Sequence, residues 1–210
     1  MADFTQIIET LIAGDSGALE GLVKKALDDK LAAKEVLNDG LIKGMDIIGE
    51  KMQSGDMFIP EVLRSANAMS SALELLRPLL SDEDMSVSGK VVIGTVKGDL
   101  HDIGKNLVKM MLETAGFEVI DLGVDVEPKS FVDAVKENKM NVLALSALLT
   151  TTMPVMKQTV DAITEAGLRN DVKILVGGAP VTPQYADQIG ADGYAADAGS
   201  ATLLLKKLMG

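Results

Sequence analysis

The hydrophobic residues of this chain change their period near residue 88, and that switch restricts the fold more than any other feature. Before it, apolar side chains recur every three or four positions, the spacing that gathers them on one face of a helix. Phe4, Ile7, Ile8 and Leu11 make one such stripe, and Leu19, Leu22, Val23 and Ala26 a second. Leu41, Met45, Ile48 and Met52 make a third; Val62, Leu63, Ala66, Met69, Leu73 and Leu76 make a fourth, which opens near Pro60. Proline suits a first helical turn, because the N–H it lacks would have no partner there. Four amphipathic helices joined by short Gly/Asp/Ser turns predict an N-terminal four-helix bundle over residues 1–88. The segment "RPLLSDEDMSVSGK" ends the fourth helix and reads as a linker.

From Lys90 onward the apolar residues form short, nearly continuous runs, "VVIGTV", "FEVIDLGV", "NVLALSAL", "KILVGG" and "GYAAD". Such runs are what strands buried on both faces require. Between them lie the helical segments "GKNLVKMMLETAG", "PKSFVDAVKEN", "PVMKQTVDAITEAG" and "PQYADQIG", and "SATLLLKKLMG" closes the chain. Strand alternating with helix implies right-handed crossovers and a parallel sheet covered on both sides. The expectation for residues 89–210 is therefore a C-terminal α/β domain, Rossmann-like and of the flavodoxin type. Sheets of this kind bind ligands at the carboxyl ends of their strands, so candidate chemistry belongs just after each strand.

Composition narrows the functions open to such a chain. At 210 residues and 47% hydrophobic it can fill two cores. Its formal net charge of −11 repels nucleic acid and anionic lipid. Residues 1–88 hold most of that charge, with 8 basic and 16 acidic side chains. The absence of cysteine removes disulfides, thiolate zinc sites and cysteine nucleophiles. The first residues carry acids rather than a basic leader, and no apolar run approaches the ~20 residues that span a bilayer. The expectation is a cytoplasmic protein without nucleic-acid or membrane partners.

After the first strand comes "KGDLHDIGKN", where Gly98, Asp99, His101, Asp102 and Gly104 crowd a strand-to-helix loop around the only histidine of the chain. Imidazole is a common transition-metal ligand, and a carboxylate accepting its second N–H fixes the tautomer and strengthens the donor. Asp99, two residues earlier, is placed for that role. A lone histidine beside acidic residues is more often a loop or capping residue. What shifts the reading is the content of two later strand ends. "LSALLTTT" supplies Ser146, Thr150 and neighbouring hydroxyls, and "VGGAP" supplies Gly177 and Gly178. Together they ask for a ligand with polar groups for the hydroxyls and a flat body that slides along side-chain-free backbone.

These residues resemble a known family. Cobalamin-binding domains of methionine synthase, and the small corrinoid proteins of methyltransferase systems, share the pattern D-x-H-x-x-G, then S-x-L, then G-G. Asp99-Leu100-His101-Asp102-Ile103-Gly104 matches the first element, Ser146-Ala147-Leu148 the second and Gly177-Gly178 the third, with 41 and 28 residues between them. Three elements at the family's spacing make a specific match. The N-terminal half resembles the family's helical cap through "GMDIIGEKMQSGDMFIPEVLRSANAM". Methionine synthase carries further modules that this chain lacks, and the cobalamin-dependent mutases usually lack the bundle.

The resemblance implies cobalamin or a related corrinoid as cofactor, cycling between methylcobalamin and cob(I)alamin. Its dimethylbenzimidazole leaves cobalt for a slot beside the sheet, and His101 takes the lower axial position. The implied binding set is Gly98 to Gly104, Ser146, Leu148, Thr150, Gly177, Gly178 and Ala198. Within it Ser146, Asp99 and His101 form a proton-linked chain, and the glycine pair keeps the slot open. Proton uptake by that chain is expected on reduction or demethylation. The bundle resembles a lid over the methyl group, with Phe58, Leu63 and Met69 toward the corrin, and it must move aside for a partner. No catalytic apparatus for breaking a methyl-to-heteroatom bond is visible. The implied role is a non-catalytic methyl carrier. Its implied partners are a substrate-specific methyltransferase, a second methyltransferase acting on a thiol or tetrahydrofolate, and a reductive activator of the corrinoid.

Other ligand classes fit less well. A receiver domain needs a phosphorylatable Asp after the third strand, where Ser146 and Thr150 stand. A nicotinamide-binding domain needs G-x-G-x-x-G where the chain reads "GTVKGDLHDIG". A cobalamin sensor would typically add a DNA-binding module, for which the chain has neither room nor charge.

Overall fold

The computed structural model describes residues 3–80 and 89–209, and the chain divides into a helical unit and an α/β unit. The linker expected around residues 81–88 lies outside the described residues. Among the described residues no helix is long and apolar enough to cross a membrane.

The helical unit holds α1 (Thr5–Ala13), α2 (Ser16–Asp28), α3 (Ala33–Glu35), a π-helical segment (Val36–Ile42), α4 (Lys43–Ser54) and α5 (Ile59–Leu76). From α3 through the π segment into α4 the chain runs without a break, so the unit has four helical arms, as the stripes require. Ile7, Leu11, Leu19, Val23, Leu41, Ile48, Val62 and Ala66 are all buried. Asp15 starts α2 by accepting the Ala18 N–H at 3.0 Å. Gly14 and Gly55 end α1 and α4 in the left-handed region. Pro60 lies in the first turn of α5, whose Glu61 carboxylate reaches back to the Phe58 N–H at 2.9 Å. The π segment and the first turn of α4 pack against α1. A Cβ on Gly40 would sit 3.1 Å from the Ile7 side chain, and one on Gly44 2.7 Å from that of Leu11.

The α/β unit alternates without exception: β1 (Lys90–Thr95), α6 (Ile103–Thr114), β2 (Glu118–Asp121), α7 (Pro128–Asn138), β3 (Val142–Ser146), α8 (Met153–Glu165), β4 (Lys173–Gly177), α9 (Pro183–Ile189), β5 (Gly193–Ala195) and α10 (Ala198–Met209). All pairings are parallel, in the order β2-β1-β3-β4-β5. The core is made of strand residues such as Val92, Leu143, Leu145, Ile174 and Val176 and of helix residues such as Phe131, Met156 and Ile163. Gly94 in β1 admits the Phe131 ring, whose nearest atom would lie 2.7 Å from any Cβ there. Chain direction out of the sheet reverses between β1 and β3. The loops leaving these two strands therefore flank the point where the strand order reverses, the usual ligand position in this topology.

Candidate functional site

His101 sits at that switch point, in a loop with no regular secondary structure between β1 and α6. The loop is made rigid by bonds to both of its sides. Asp99 donates its backbone N–H to Val96 at 3.1 Å, and the Thr95 hydroxyl donates to the His101 carbonyl at 2.9 Å. Gly98 has φ 84°, a left-handed conformation that costs a residue with a Cβ.

Asp99 is fully buried, and each of its oxygens has a distinct task. Oδ1 lies 2.7 Å from His101 Nδ1 and also accepts the His101 backbone N–H at 3.1 Å. Oδ2 accepts the Leu148 N–H at 2.7 Å, the Leu149 N–H at 3.2 Å and the Thr152 hydroxyl at 2.8 Å. Burial pushes the Asp99 carboxyl up, but the hydrogen bonds from the His101 ring, the Leu148 and His101 N–H groups and Thr152 outweigh it and hold it well below the usual carboxylate range. An ionised carboxylate can only accept, so Nδ1 carries a proton, and in the neutral ring the lone pair is then on Nε2. The side chain is 51% exposed, and Nε2 has no partner among the described residues.

The surroundings are apolar. Leu100 (71% exposed), Ile103 (83%), Leu148 (42%) and Leu149 (40%) come from the two loops that meet at Asp99. Four large exposed hydrophobic side chains beside one imidazole make a surface suited to a broad, flat partner. No group of three or more His, Cys, Asp or Glu among the described residues could hold a bare metal ion. One imidazole nitrogen suffices for a metal that brings its own equatorial ligands, as cobalt in a corrin does. The donor set and the apolar rim fit that cofactor.

One expectation needs correction. Ser146 does not reach Asp99; its carbonyl accepts the Val96 N–H at 3.0 Å in the sheet, and the hydroxyl on Asp99 is that of Thr152. Thr152 stands in the quoted run "LSALLTTT", but the turn at Leu149, closed by the Thr152 N–H at 3.1 Å, is what swings it back to the strand end. The glycine pair also has a packing reason within the protein. A Cβ on Gly178, where φ is 126°, would lie 1.9 Å from the Ala147 carbonyl oxygen, and one on Gly177 2.9 Å from that of Ala195. These glycines let neighbouring strand ends approach, and a side chain there would strike protein backbone.

The other residues of the expected set are dispersed in role. Asp102 accepts from the Asn106 side chain at 3.0 Å and its carbonyl from the Asn106 N–H, which makes it part of the start of α6. Gly104 faces open space and Thr150 is exposed. Ala198, the first residue of α10, is buried. Of the three residues expected at a lid, which belong to the helical unit, Phe58 and Leu63 are exposed and Met69 is buried. Two residues not anticipated brace the loop from β2. Asp125 accepts the Gly98 N–H at 2.7 Å. Asp121 grips the buried Lys105 of α6 with both oxygens at 2.7 Å.

Comparison with known proteins decides the family. Residues 89–203 match one B12 binding domain model and residues 4–77 a second. The trimethylamine corrinoid protein of Methanosarcina barkeri is 42% identical over 98% of both chains. This chain belongs to the corrinoid proteins of methyltransferase systems. A corrinoid is thus its cofactor, and the helical unit corresponds to the family's helical cap domain. A cobalamin-binding protein from Desulfitobacterium hafniense superposes with a TM-score of 0.86 at 36% identity over 99% of both chains. The methanol:cobalamin methyltransferase complex of Methanosarcina barkeri gives 0.83 at 28% identity, covering 97% of this corrinoid protein and 78% of that chain.

Proposed function

We propose that this corrinoid protein is a non-catalytic methyl carrier that presents His101 Nε2 to cobalt as the lower axial ligand, with the nucleotide base of the cofactor detached. The observation that carries this reading is the Asp99–His101 pair. A buried ionised carboxylate fixes the ring by Nδ1 and leaves the second nitrogen free among exposed apolar side chains. The bound corrinoid supplies the chemistry, a cobalt centre that takes up a methyl group and gives it away. The chain's own residues orient. Asp99 holds the tautomer, Thr152 and the Leu148 and Leu149 amides hold Asp99, and the leucines and Ile103 exclude water from the lower face.

The similarity to a trimethylamine corrinoid protein supports a methylamine as the methyl source. The likeness to a chain of the methanol:cobalamin methyltransferase complex supports a substrate-specific methyltransferase as the first partner. A second methyltransferase delivering to a thiol or tetrahydrofolate, and a reductive activator, complete the expected cycle in the cytoplasm.

Because the chain has one histidine, the axial assignment has a direct test. Protein labelled with heavy nitrogen only in histidine is loaded with cobalamin and reduced to paramagnetic cobalt(II). Imidazole coordination changes the nitrogen hyperfine pattern on labelling; an unchanged pattern, with the cofactor's own base still coordinated, refutes it.

A further inference from the structure

Asp125 lies in the loop after β2, outside every motif of the sequence, and yet it makes two bonds to the chain immediately before His101. Its Oδ1 accepts the Gly98 N–H at 2.7 Å, and its own N–H donates to the Asp99 carbonyl at 3.0 Å. Both ends of this clamp are in the left-handed region, Gly98 at φ 84° and Asp125 at φ 56°. For Gly98 the reason is conformational, since a Cβ there would meet only the Thr152 methyl at 3.5 Å, an ordinary contact. For Asp125 the backbone cost falls on a residue with a side chain, one of few types that tolerate it. The clamp is itself anchored to the sheet. Val126 donates to the Thr95 carbonyl at 3.0 Å and forms a parallel bridge with Val96.

An exposed carboxylate near a lysine usually signifies only a weak surface ion pair. Here the two interactions are separate. Lys97 lies 3.7 Å from Oδ2, and closer, at 3.0 Å, to Glu127, while Oδ1 is given to the Gly98 amide. The stretch held between Oδ1 and the Asp125 N–H runs from the Gly98 N–H to the Asp99 carbonyl, and the Asp99 side chain is fixed by the loop at 148–152. Asp99 is thus held by its main chain from β2 and by its side chain from β3.

We propose that Asp125 is a positioning residue for the axial imidazole, clamping the Gly98–Asp99 segment at its N–H and carbonyl ends and through it fixing the direction in which His101 faces the corrin. This rests on the reading of His101 as the axial ligand. Outer partners of a metal-bound histidine typically change metal affinity by 10- to 100-fold, and one clamp bond belongs at the lower end, about tenfold.

Two variants separate backbone conformation from hydrogen bonding. Asp125→Gly accepts the left-handed conformation but loses the acceptor; Asp125→Asn keeps an acceptor oxygen and tolerates the same conformation. In the cobalamin-loaded cobalt(II) protein, Asn should show the wild-type imidazole hyperfine pattern and affinity. Gly should bind cobalamin about tenfold more weakly, with part of the population lacking imidazole coupling, although its thermal midpoint as apoprotein changes little. In the apoprotein, the single imidazole Nδ1–H resonance should broaden in the Gly variant alone. A Gly variant with wild-type coupling and resonance overturns the proposal, as does an Asn variant impaired like Gly. A wild-type holoprotein without imidazole coupling instead removes the axial ligand, and with it both readings.

Discussion

Thr152 and Asp99, 53 residues apart in the chain, meet at 2.8 Å inside the α/β unit, hydroxyl to carboxylate. Through this bond the start of α8 is tied to the residue that orients the only imidazole of the protein.

Thr152→Val removes a donor from a fully buried carboxylate while keeping the volume, and should lower apoprotein stability by about 2 kcal/mol, the scale of a hydrogen bond to a charged group. Ser146→Ala should change it by less than about 0.5 kcal/mol. Urea unfolding of the two variants checks the ranking; a Ser146 variant as damaged as the Thr152 variant would return the serine to the Asp99 network.

His101→Ala should leave apoprotein folding intact, because the ring is half exposed and its loop is held by Thr95, Asp99 and Asp125. Its cobalamin complex, once formed, should lose every hyperfine signature of protein nitrogen. An unaltered signature means that cobalt is held elsewhere.

Acid should weaken the brace at α6. Burial pushes the Asp121 carboxyl up, but the hydrogen bond from Lys105, that from the Gly123 N–H and the charges of Lys105 and Lys109 outweigh it and leave it below its ordinary value. A carboxyl lowered on folding stabilises fully above its unfolded value near 4, and the contribution disappears as pH falls through the folded value. Asp121→Asn leaves the Lys105 ammonium buried without its counter-charge, at about 3 kcal/mol. The gap between wild type and variant in unfolding free energy should be constant at neutral pH and close below about pH 4. A gap independent of pH would remove the ionised Asp121 from the account.

The glycines should separate by function. Gly178→Ala sets a methyl group 1.9 Å from the Ala147 carbonyl oxygen and should cost the apoprotein at least about 3 kcal/mol. Gly104→Ala enters open space on a helix and should be neutral, or gain about 0.5 kcal/mol. A loss at Gly104 that shows only in cobalamin titration, with apoprotein unfolding unchanged, would assign that glycine to the cofactor.

Much of this architecture is legible in the chain because burial writes it there. Runs such as "NVLALSAL" and "KILVGG" are apolar on both faces, and β3 (Val142–Ser146) and β4 (Lys173–Gly177) lie inside them. His101 is equally plain, as a single imidazole two residues from Asp99. Features set by the third dimension were hidden. The π segment has no period that distinguishes it from the helix it continues. Thr152 is one of three successive threonines, and only the turn at Leu149 selects it. Asp125 carries no pattern at all, because its task depends on a neighbouring strand's loop and on a backbone angle.

The partners of Asp99 also set a schedule for assembly. Its donors at Leu148, Leu149 and Thr152 lie 49 to 53 residues downstream, so no local segment can recreate the arrangement around the carboxylate. Such distant closures come late, after the intervening chain has been ordered. A polypeptide that ends before β3 lacks every donor to Asp99 Oδ2, so the braced imidazole is a property of the finished sheet.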